Sequence, residues 1–393
     1  MAGAETLATL DELEVEIEKL VAGGDGLARH QGFPIFVPLS APGDRLRVRL
    51  VERRPQYARA EILEIVVSGP ERREPPCPHF TRCGGCSMQH LTDEAQTRWR
   101  VMAAREALQR ISGLDFDASE EVVVGTAWGY RLRTQLHLAG EVGAIQVGYY
   151  GRGSHELVPV SACPVLAPPL EKFVLGLSGQ LQTRVPRRLD VALGDAGNVT
   201  CGPVLPELPR GEVFRRVGDL EYGFDARTFF QGHEGLLPRL VEAVVGSETG
   251  DTAFDLYSGV GLFSLPLADL YREVVAVESD RIAVRYARKN AQRNRKDNVT
   301  VEASSVDSWI GQLPDRAERV VVDPPRTGLG RRLRAVFSER RPRYISYVSC
   351  HPAALARDLA ALARSHALDR VVYVDLFPQT GHIEIVAQLR SRG

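Results

Sequence analysis

From about Gly235 onward, short apolar runs recur between helical segments, and this alternation constrains the fold more than any other feature of the chain. The runs are Ala253 to Tyr257, Val274 to Glu278, Val299 to Val301, Val320 to Asp323, Tyr344 to Ser349, Val371 to Asp375 and Ile383 to Leu389. Strands alternating with helices build a mostly parallel sheet covered on both faces. Ligands of such sheets collect beyond the carboxyl ends of the strands. Gly259, Glu278, Asp323 and Cys350 each follow or end such a run, so all four are expected on one rim. The expectation for residues 235–393 is a Rossmann-like α/β domain.

The pattern before it differs. From Leu13 to about Val67, apolar and polar residues alternate over short runs, as in Leu13-Glu14-Val15-Glu16-Ile17, Ile35 to Val37, Arg45 to Val51 and Ala60 to Val67. Turn signals separate them, including Gly23-Gly24-Asp25-Gly26 and Pro42-Gly43-Asp44. Closely spaced short strands of this kind predict a small β-barrel over residues 8–68. The loop from Gly24 to Arg29, the Phe-Val-Pro strand and the Pro-Gly-Asp turn resemble the TRAM domain, an RNA-binding OB-like barrel. A proline-rich linker, Pro70 to Pro78, then opens a middle α+β region, 69–234. There Asp93 to Ile111 has helical periodicity, while Val122 to Val124, Leu132 to Leu138, Ile145 to Tyr150 and Leu189 to Leu193 read as strands.

At 393 residues the chain exceeds what one hydrophobic core usually supports, and its 44% hydrophobic content can supply several. The longest apolar runs fall far short of the roughly 20 residues that cross a bilayer, and no leader pattern stands at the N-terminus. The expectation is a soluble cytoplasmic protein without a membrane partner, and no obligate protein partner is inferred. A formal net charge of -1 leaves nucleic acid open, because binding depends on where charge sits. Acids crowd the start (Glu5, Asp11, Glu12, Glu14, Glu16, Glu18), whereas arginines crowd Arg45 to Arg54 and Arg326 to Arg343, the latter interrupted by Glu339 alone. A solvated face is the plain reading of such runs; beside a catalytic motif, phosphate contact gains weight.

Asp255-Leu256-Tyr257-Ser258-Gly259-Val260-Gly261 runs off the first strand into a helix, and glycines there let the backbone approach a ligand closely. The continuation Leu262-Phe263-Ser264 lacks the third small residue of a dinucleotide fingerprint. Glu278, nineteen residues past Gly259, ends the next strand, where a carboxylate can accept hydrogen bonds from both hydroxyls of an adenosine ribose. Asp323-Pro324-Pro325-Arg326 tilts the choice of nucleoside cofactor toward S-adenosylmethionine, since D/N-P-P segments line methyl-acceptor pockets. Val348-Ser349-Cys350-His351-Pro352 adds a thiol, and Phe377-Pro378-Gln379-Thr380-Gly381-His382-Ile383-Glu384 adds a carboxylate.

This set resembles the RNA (uracil-5-)-methyltransferase family, whose motifs D-x-Y-x-G-x-G, D-P-P-R, S-C-N-P and F-P-x-T-x-H-x-E occur here in order, the third with one change. The resemblance covers nearly the whole chain. It implies that Cys350 is the nucleophile and Glu384 the general base, and that Gln231, in Phe229-Phe230-Gln231, joins Tyr257, Glu278 and Asp323 in contacting S-adenosylmethionine, with Gly259 and Gly261 shaping that pocket. Two positions depart from the family pattern. His351 replaces an asparagine, and Gly232-His233 replaces Val-Asn.

Of six cysteines, Cys77, Cys83 and Cys86 are clustered and Cys163 precedes a proline. Four thiolates suffice for tetrahedral zinc or for an iron-sulfur cubane, which spacing barely separates. The family resemblance implies a 4Fe-4S cluster on these four, with zinc the alternative. Cys201 has no partner in this scheme and is expected to be a small buried residue. The resemblance further implies RNA as substrate, with 23S ribosomal RNA favoured over transfer RNA because the TRAM domain and cysteine cluster accompany the catalytic motifs. A non-catalytic RNA-binding protein and a cytosine-5 methyltransferase are the competing readings.

Overall fold

The computed structural model describes residues 10–113, 118–141, 144–181 and 186–392, so Glu5 and the first two residues of the expected 8–68 region lie outside it. The chain forms two compact units. The first takes in the described residues up to Glu106, with Tyr150–Val158 and Phe377–His382; the second holds Ala107–Tyr149, Pro159–Leu376 and the chain from Ile383. Among the described residues, no helix is long and apolar enough to cross a membrane.

In the first unit a six-stranded sheet runs Glu12–Glu16, Arg45–Arg53, Ala58–Val67, Phe33–Val37, Gly26–His30, Lys19–Leu20. Its alternate residues Val15, Ile35, Val37, Leu46, Val48 and Leu50 meet in a core, as period-two patterning requires. The outward arginines of the strand Arg45–Arg53 pair with acids on its neighbours: Arg47 with Glu12 and Glu64, Arg49 with Glu12 and Glu61, Arg45 with Glu14. This arginine run is thus a ladder of exposed ion pairs, which agrees with the plain reading of it.

The segment Phe377–His382 lies within this same unit. Gln379, fully buried, accepts through its carbonyl the amides of Ser87 (2.9 Å) and Met88 (3.1 Å) and exchanges hydrogen bonds with the Gln96 side chain at 2.8 and 2.9 Å. Arg100 donates to the carbonyls of Phe377 and His382, both at 3.1 Å. Arg100 and Gln96 lie on the helix Asp93–Ser112.

The second unit carries an eight-stranded sheet in the order Val299–Ala303, Tyr271–Glu278, Gly250–Leu256, Arg319–Val322, Tyr344–Ser349, Glu384–Ser391, His366–Val374, Ser119–Val123. The first five run parallel, and Glu384–Ser391 is antiparallel to both its neighbours. Strand Ser119–Val123, which overlaps a run expected in the middle region, instead extends this sheet by pairing parallel to His366–Val374. Five residues of strand pattern do not encode their partner. A separate antiparallel group pairs Arg133–Ala139 with Arg188–Leu193 and with Gln146–Tyr150, over a core that includes Leu136, Leu170, Leu189, Val191 and Cys201. Burial pushes the Cys201 thiol up to about 12, so it stays an inert apolar residue.

Candidate active site

Strand Gly250–Leu256 ends in the middle of the sheet, where neighbours on both sides also end. The chain then turns sharply: Tyr257, Gly259 and Gly261 all have positive φ, at 65°, 56° and 93°. The amides of Tyr257 and Ser258 both donate to the Val277 carbonyl, at 3.0 and 3.1 Å, which folds the turn over the next strand. Glu278, last residue of that strand, completes the clasp, because one carboxylate oxygen accepts the Gly259 amide at 3.0 Å and the other accepts the amides of Ser279 and Asp280 at 2.7 Å each. The N-cap of the following helix Arg281–Arg293 is Asp280, which accepts from Ile282 and Ala283 at 2.8 Å. Asp280, rather than Glu278, is thus the cap of that helix.

From that helix the fully buried Asn290 donates to the carbonyls of Val260 (3.0 Å) and Gly223 (3.1 Å) and accepts the Gly223 amide (2.8 Å). It locks the glycine turn to the hairpin Val213–Val217/Leu220–Phe224. Three buried polar atoms here lack a hydrogen-bonding partner among the described residues: Gln231 Oε1, Asp255 Oδ1 and Ser258 Oγ. Buried polar atoms are normally satisfied, so orphans on these three segments mark where a polar ligand belongs. The residues present fit a nucleoside-containing cofactor such as S-adenosylmethionine.

Asp323 follows strand Arg319–Val322, and its amide reaches the Leu256 carbonyl at 3.4 Å. Burial, and then the charge of Asp255, push its carboxyl up to about 7. Asp255 itself is lifted to about 7 by burial, although the Ser264 hydroxyl hydrogen-bonds it and pulls the other way. Next along the rim comes Cys350, directly after strand Tyr344–Ser349. The antiparallel register with the last strand ends at Ser349 opposite Ile385, with Cys350 next after Ser349 and Glu384 next before Ile385.

Glu384 is 3% exposed, and burial together with the charge of Asp323 raises its carboxyl well above the ordinary range, against the pull of Arg326. The Cys350 thiol is raised by burial and by the charge of Glu384, while Arg326 opposes this by its charge and a hydrogen bond to the sulfur. Thiol, two carboxyls and guanidinium thus act on one another. The charge of Asp323 disfavours ionisation of Glu384, in the same direction as its burial.

His351 caps the helix Pro352–Leu362, its Nδ1 accepting the Ala354 amide at 3.2 Å. An asparagine makes the same kind of cap, so this departure keeps the local backbone. His233 is buried, its ring stacked on Tyr130 at 4.7 Å, and burial lowers it to about 4. Neither substitution removes a group from the rim. The contributions of Arg326, Asn290 and the Gln96–Gln379 pair carry no sequence signal beyond residence in or near a motif, because their partners lie far off in the chain.

Among the described residues no three His, Cys, Asp or Glu side chains are gathered as a ready metal site. Cys77, Cys83 and Cys86 belong to the first unit and Cys163 to the second. Gly85 directs its amide at Cys83 Sγ (3.4 Å), and the Tyr149 hydroxyl lies 4.0 Å from Cys163 Sγ.

A mostly parallel sheet with one antiparallel strand, glycine turn and strand-end acid in these places defines an S-adenosylmethionine-dependent methyltransferase, and comparison with known proteins narrows the class. Residues 312–392 match the family described as tRNA (Uracil-5-)-methyltransferase, residues 10–63 the TRAM domain, and residues 239–331 the TRM5/TYW2 methyltransferase domain. The chain is 32% identical to the 23S rRNA (uracil(1939)-C(5))-methyltransferase RlmD of Pectobacterium atrosepticum, over 95% of this chain and 93% of that one. It is 31% identical to an uncharacterised RNA methyltransferase of Bdellovibrio bacteriovorus, over 99% and 97%. Among solved structures, the tRNA (uracil-54, C5)-methyltransferase of Pyrococcus abyssi, in complex with S-adenosyl-L-homocysteine, superposes with a TM-score of 0.76 at 26% identity, covering 96% of this chain and all of that one. The chain belongs to the RNA (uracil-5-)-methyltransferase family.

Proposed function

We propose that this protein methylates carbon 5 of a uridine in 23S ribosomal RNA, with Cys350 as nucleophile and Glu384 as general base. The observation that carries the reading is that Cys350 and Glu384 adjoin the last registered pair of the antiparallel strands, Ser349 and Ile385, and bear on each other electrostatically, with Arg326 acting on both. Carbon 5 of uracil is too weakly nucleophilic to accept a methyl group unaided. Addition of the Cys350 thiolate to carbon 6 breaks the 5,6 double bond and moves its electron pair toward carbon 5 as an enolate. S-adenosylmethionine, when bound, supplies an electrophilic methyl group on a sulfonium. Gln231, Tyr257, Gly259, Gly261, Glu278 and Asp323 would hold it. Once carbon 5 carries both methyl and hydrogen, Glu384 takes the proton, the double bond re-forms and Cys350 leaves as thiolate. A raised carboxyl is a strong base once ionised, which suits proton removal from carbon.

The target base must leave its stack, which typically costs a few kcal/mol and favours a loop or bulge. The full-length relatives named for 23S rRNA and the TRAM match support ribosomal RNA, while the solved relative named for transfer RNA makes that the second reading. The same reading assigns residues 8–68 to RNA engagement, 69–234 to the middle region and 235–393 to the transfer chemistry. It also assigns Cys77, Cys83, Cys86 and Cys163 to a 4Fe-4S cluster, for which soft thiolates are suitable donors, with zinc as the alternative; no step of the methyl transfer needs it. Mapping 5-methyluridine in ribosomal and transfer RNA from cells lacking the protein tests the assignment. Loss of the mark from 23S rRNA is expected; loss from transfer RNA alone moves the target, and loss from neither overturns the reading. Iron, sulfide and zinc analysis after anaerobic purification decides the metal.

A further inference from the structure

Arg326 is the cation that bears on the Cys350 sulfur, yet it stands in an exposed turn. The turn closes through the Gly328 amide on the Pro325 carbonyl at 2.8 Å, with Arg326 and Thr327 between. Such a turn needs an external anchor to aim a long side chain, since an unanchored arginine loses several rotamers on being fixed. The anchor is Asp358, on the helix that follows the nucleophile. One of its oxygens accepts the Leu329 amide and the Tyr347 hydroxyl, both at 2.7 Å; the other accepts from Arg334 (3.1 Å) and Arg357 (3.0 Å). Arg357 reaches back to the Thr327 carbonyl at 2.7 Å.

Asp358 is entirely buried. Gly328, at φ +76°, lies so near that a Cβ added to it would fall 2.4 Å from the Asp358 carboxylate. Tyr347 lies three residues before Cys350 on the strand that delivers it. One carboxylate therefore ties together the strand bearing the thiol, the turn bearing the cation and the helix between them.

We propose that Asp358 is a positioning residue for methyl transfer, holding the Pro325–Gly328 turn so that Arg326 stays on the Cys350 sulfur. The proposal rests on Cys350 being the nucleophile. Its effect is electrostatic at one remove: with the turn released, the guanidinium leaves the thiol to burial and to the charges of Glu384 and Asp323, all of which disfavour thiolate.

The test is the pH dependence of iodoacetamide alkylation of Cys350, followed by mass spectrometry of its peptide in the full-length protein. Arg326→Gln should move the alkylation midpoint upward by about one pH unit, the low end of what a neighbouring opposite charge contributes. Asp358→Asn should move it in the same direction and lower kcat by roughly tenfold to a hundredfold. Gly328→Ala, which leaves the carboxylate in place but crowds it away from the turn, should reproduce the shift and serves as the measured variant if Asp358→Asn does not fold. A lowered melting temperature with an unmoved midpoint in the folded variants overturns the proposal, as does an unmoved midpoint in Arg326→Gln. Turnover in Cys350→Ala is a separate measurement: persistence there would sink the nucleophile assignment and leave the alkylation result standing on its own.

Discussion

Cys350 and Glu384 directly adjoin Ser349 and Ile385, the last registered pair of an antiparallel strand couple, and the charge of Glu384 raises the Cys350 thiol; these are the residues proposed as nucleophile and base. Their two roles separate under mutation. Cys350→Ala should abolish both turnover and any covalent RNA adduct. Glu384→Gln should still form the adduct but fail to resolve it, so a band of protein bound to RNA accumulates on denaturing gels as turnover falls by a factor of about a hundred or more. Adduct in the alanine variant would contradict the assignment.

Glu278 clasps the Gly259 amide, so its removal disturbs the glycine turn as well as the proposed acceptor for a ribose. Glu278→Ala should weaken S-adenosyl-L-homocysteine binding by roughly tenfold to a hundredfold, or about 1.4 to 3 kcal/mol by calorimetry. RNA affinity by filter binding should stay within about twofold.

Burial pushes the carboxyls of Asp255 and Asp323 up to about 7 in the folded protein, against about 3.9 in an unfolded chain. Between those limits the native state holds more protons than the unfolded one, so these groups lower stability as pH rises from about 4 to about 7 and keep it lowered above that. Asp255→Asn removes one titration and lightens the burden on the other. Its melting temperature relative to the unmodified protein should climb between pH 5 and pH 8. A gap constant across that range would show that the Asp255 carboxyl is not raised.

How much of this was legible in the chain varies with the kind of feature. The rim was, because each apolar run ends at or just before a candidate site residue, and run length is a strong local signal. The barrel was legible too, through its strict alternation. Partner choice was not: nothing in Ser119–Val123 says that it edges the large sheet, and nothing in Asp358, at helix position among alanines and leucines, says that it holds a turn some thirty residues back. The phrase Phe377 to Glu384 looked like a single motif, yet its first six residues belong to one compact unit and its glutamate to the other.

Asn290 satisfies three backbone groups at once, on Gly223 and Val260. Asn290→Ala should cost about 1–3 kcal/mol in urea unfolding for the groups left buried and unpaired. It should also raise KM for S-adenosylmethionine more than KM for RNA, because the glycine turn is what it steadies.

His351 does an asparagine's work at the helix start. His351→Asn should leave stability and turnover nearly unchanged, whereas His351→Ala should lose about 1 kcal/mol through the lost cap. Equal losses in both variants would mean that the imidazole has a task besides capping.

The pairing of Gln96 with Gln379 spans 283 positions of sequence. During synthesis the N-terminal unit leaves the ribosome long before the segment that fills it, so the hydrogen bonds of Gln96, Arg100 and the Ser87–Met88 backbone to residues 377–382 form only when nearly the last codons have been read. A chain cut short before residue 377 loses Glu384 and leaves the unit at its opposite end unfinished. Premature termination therefore yields neither a complete second unit nor an intact first one.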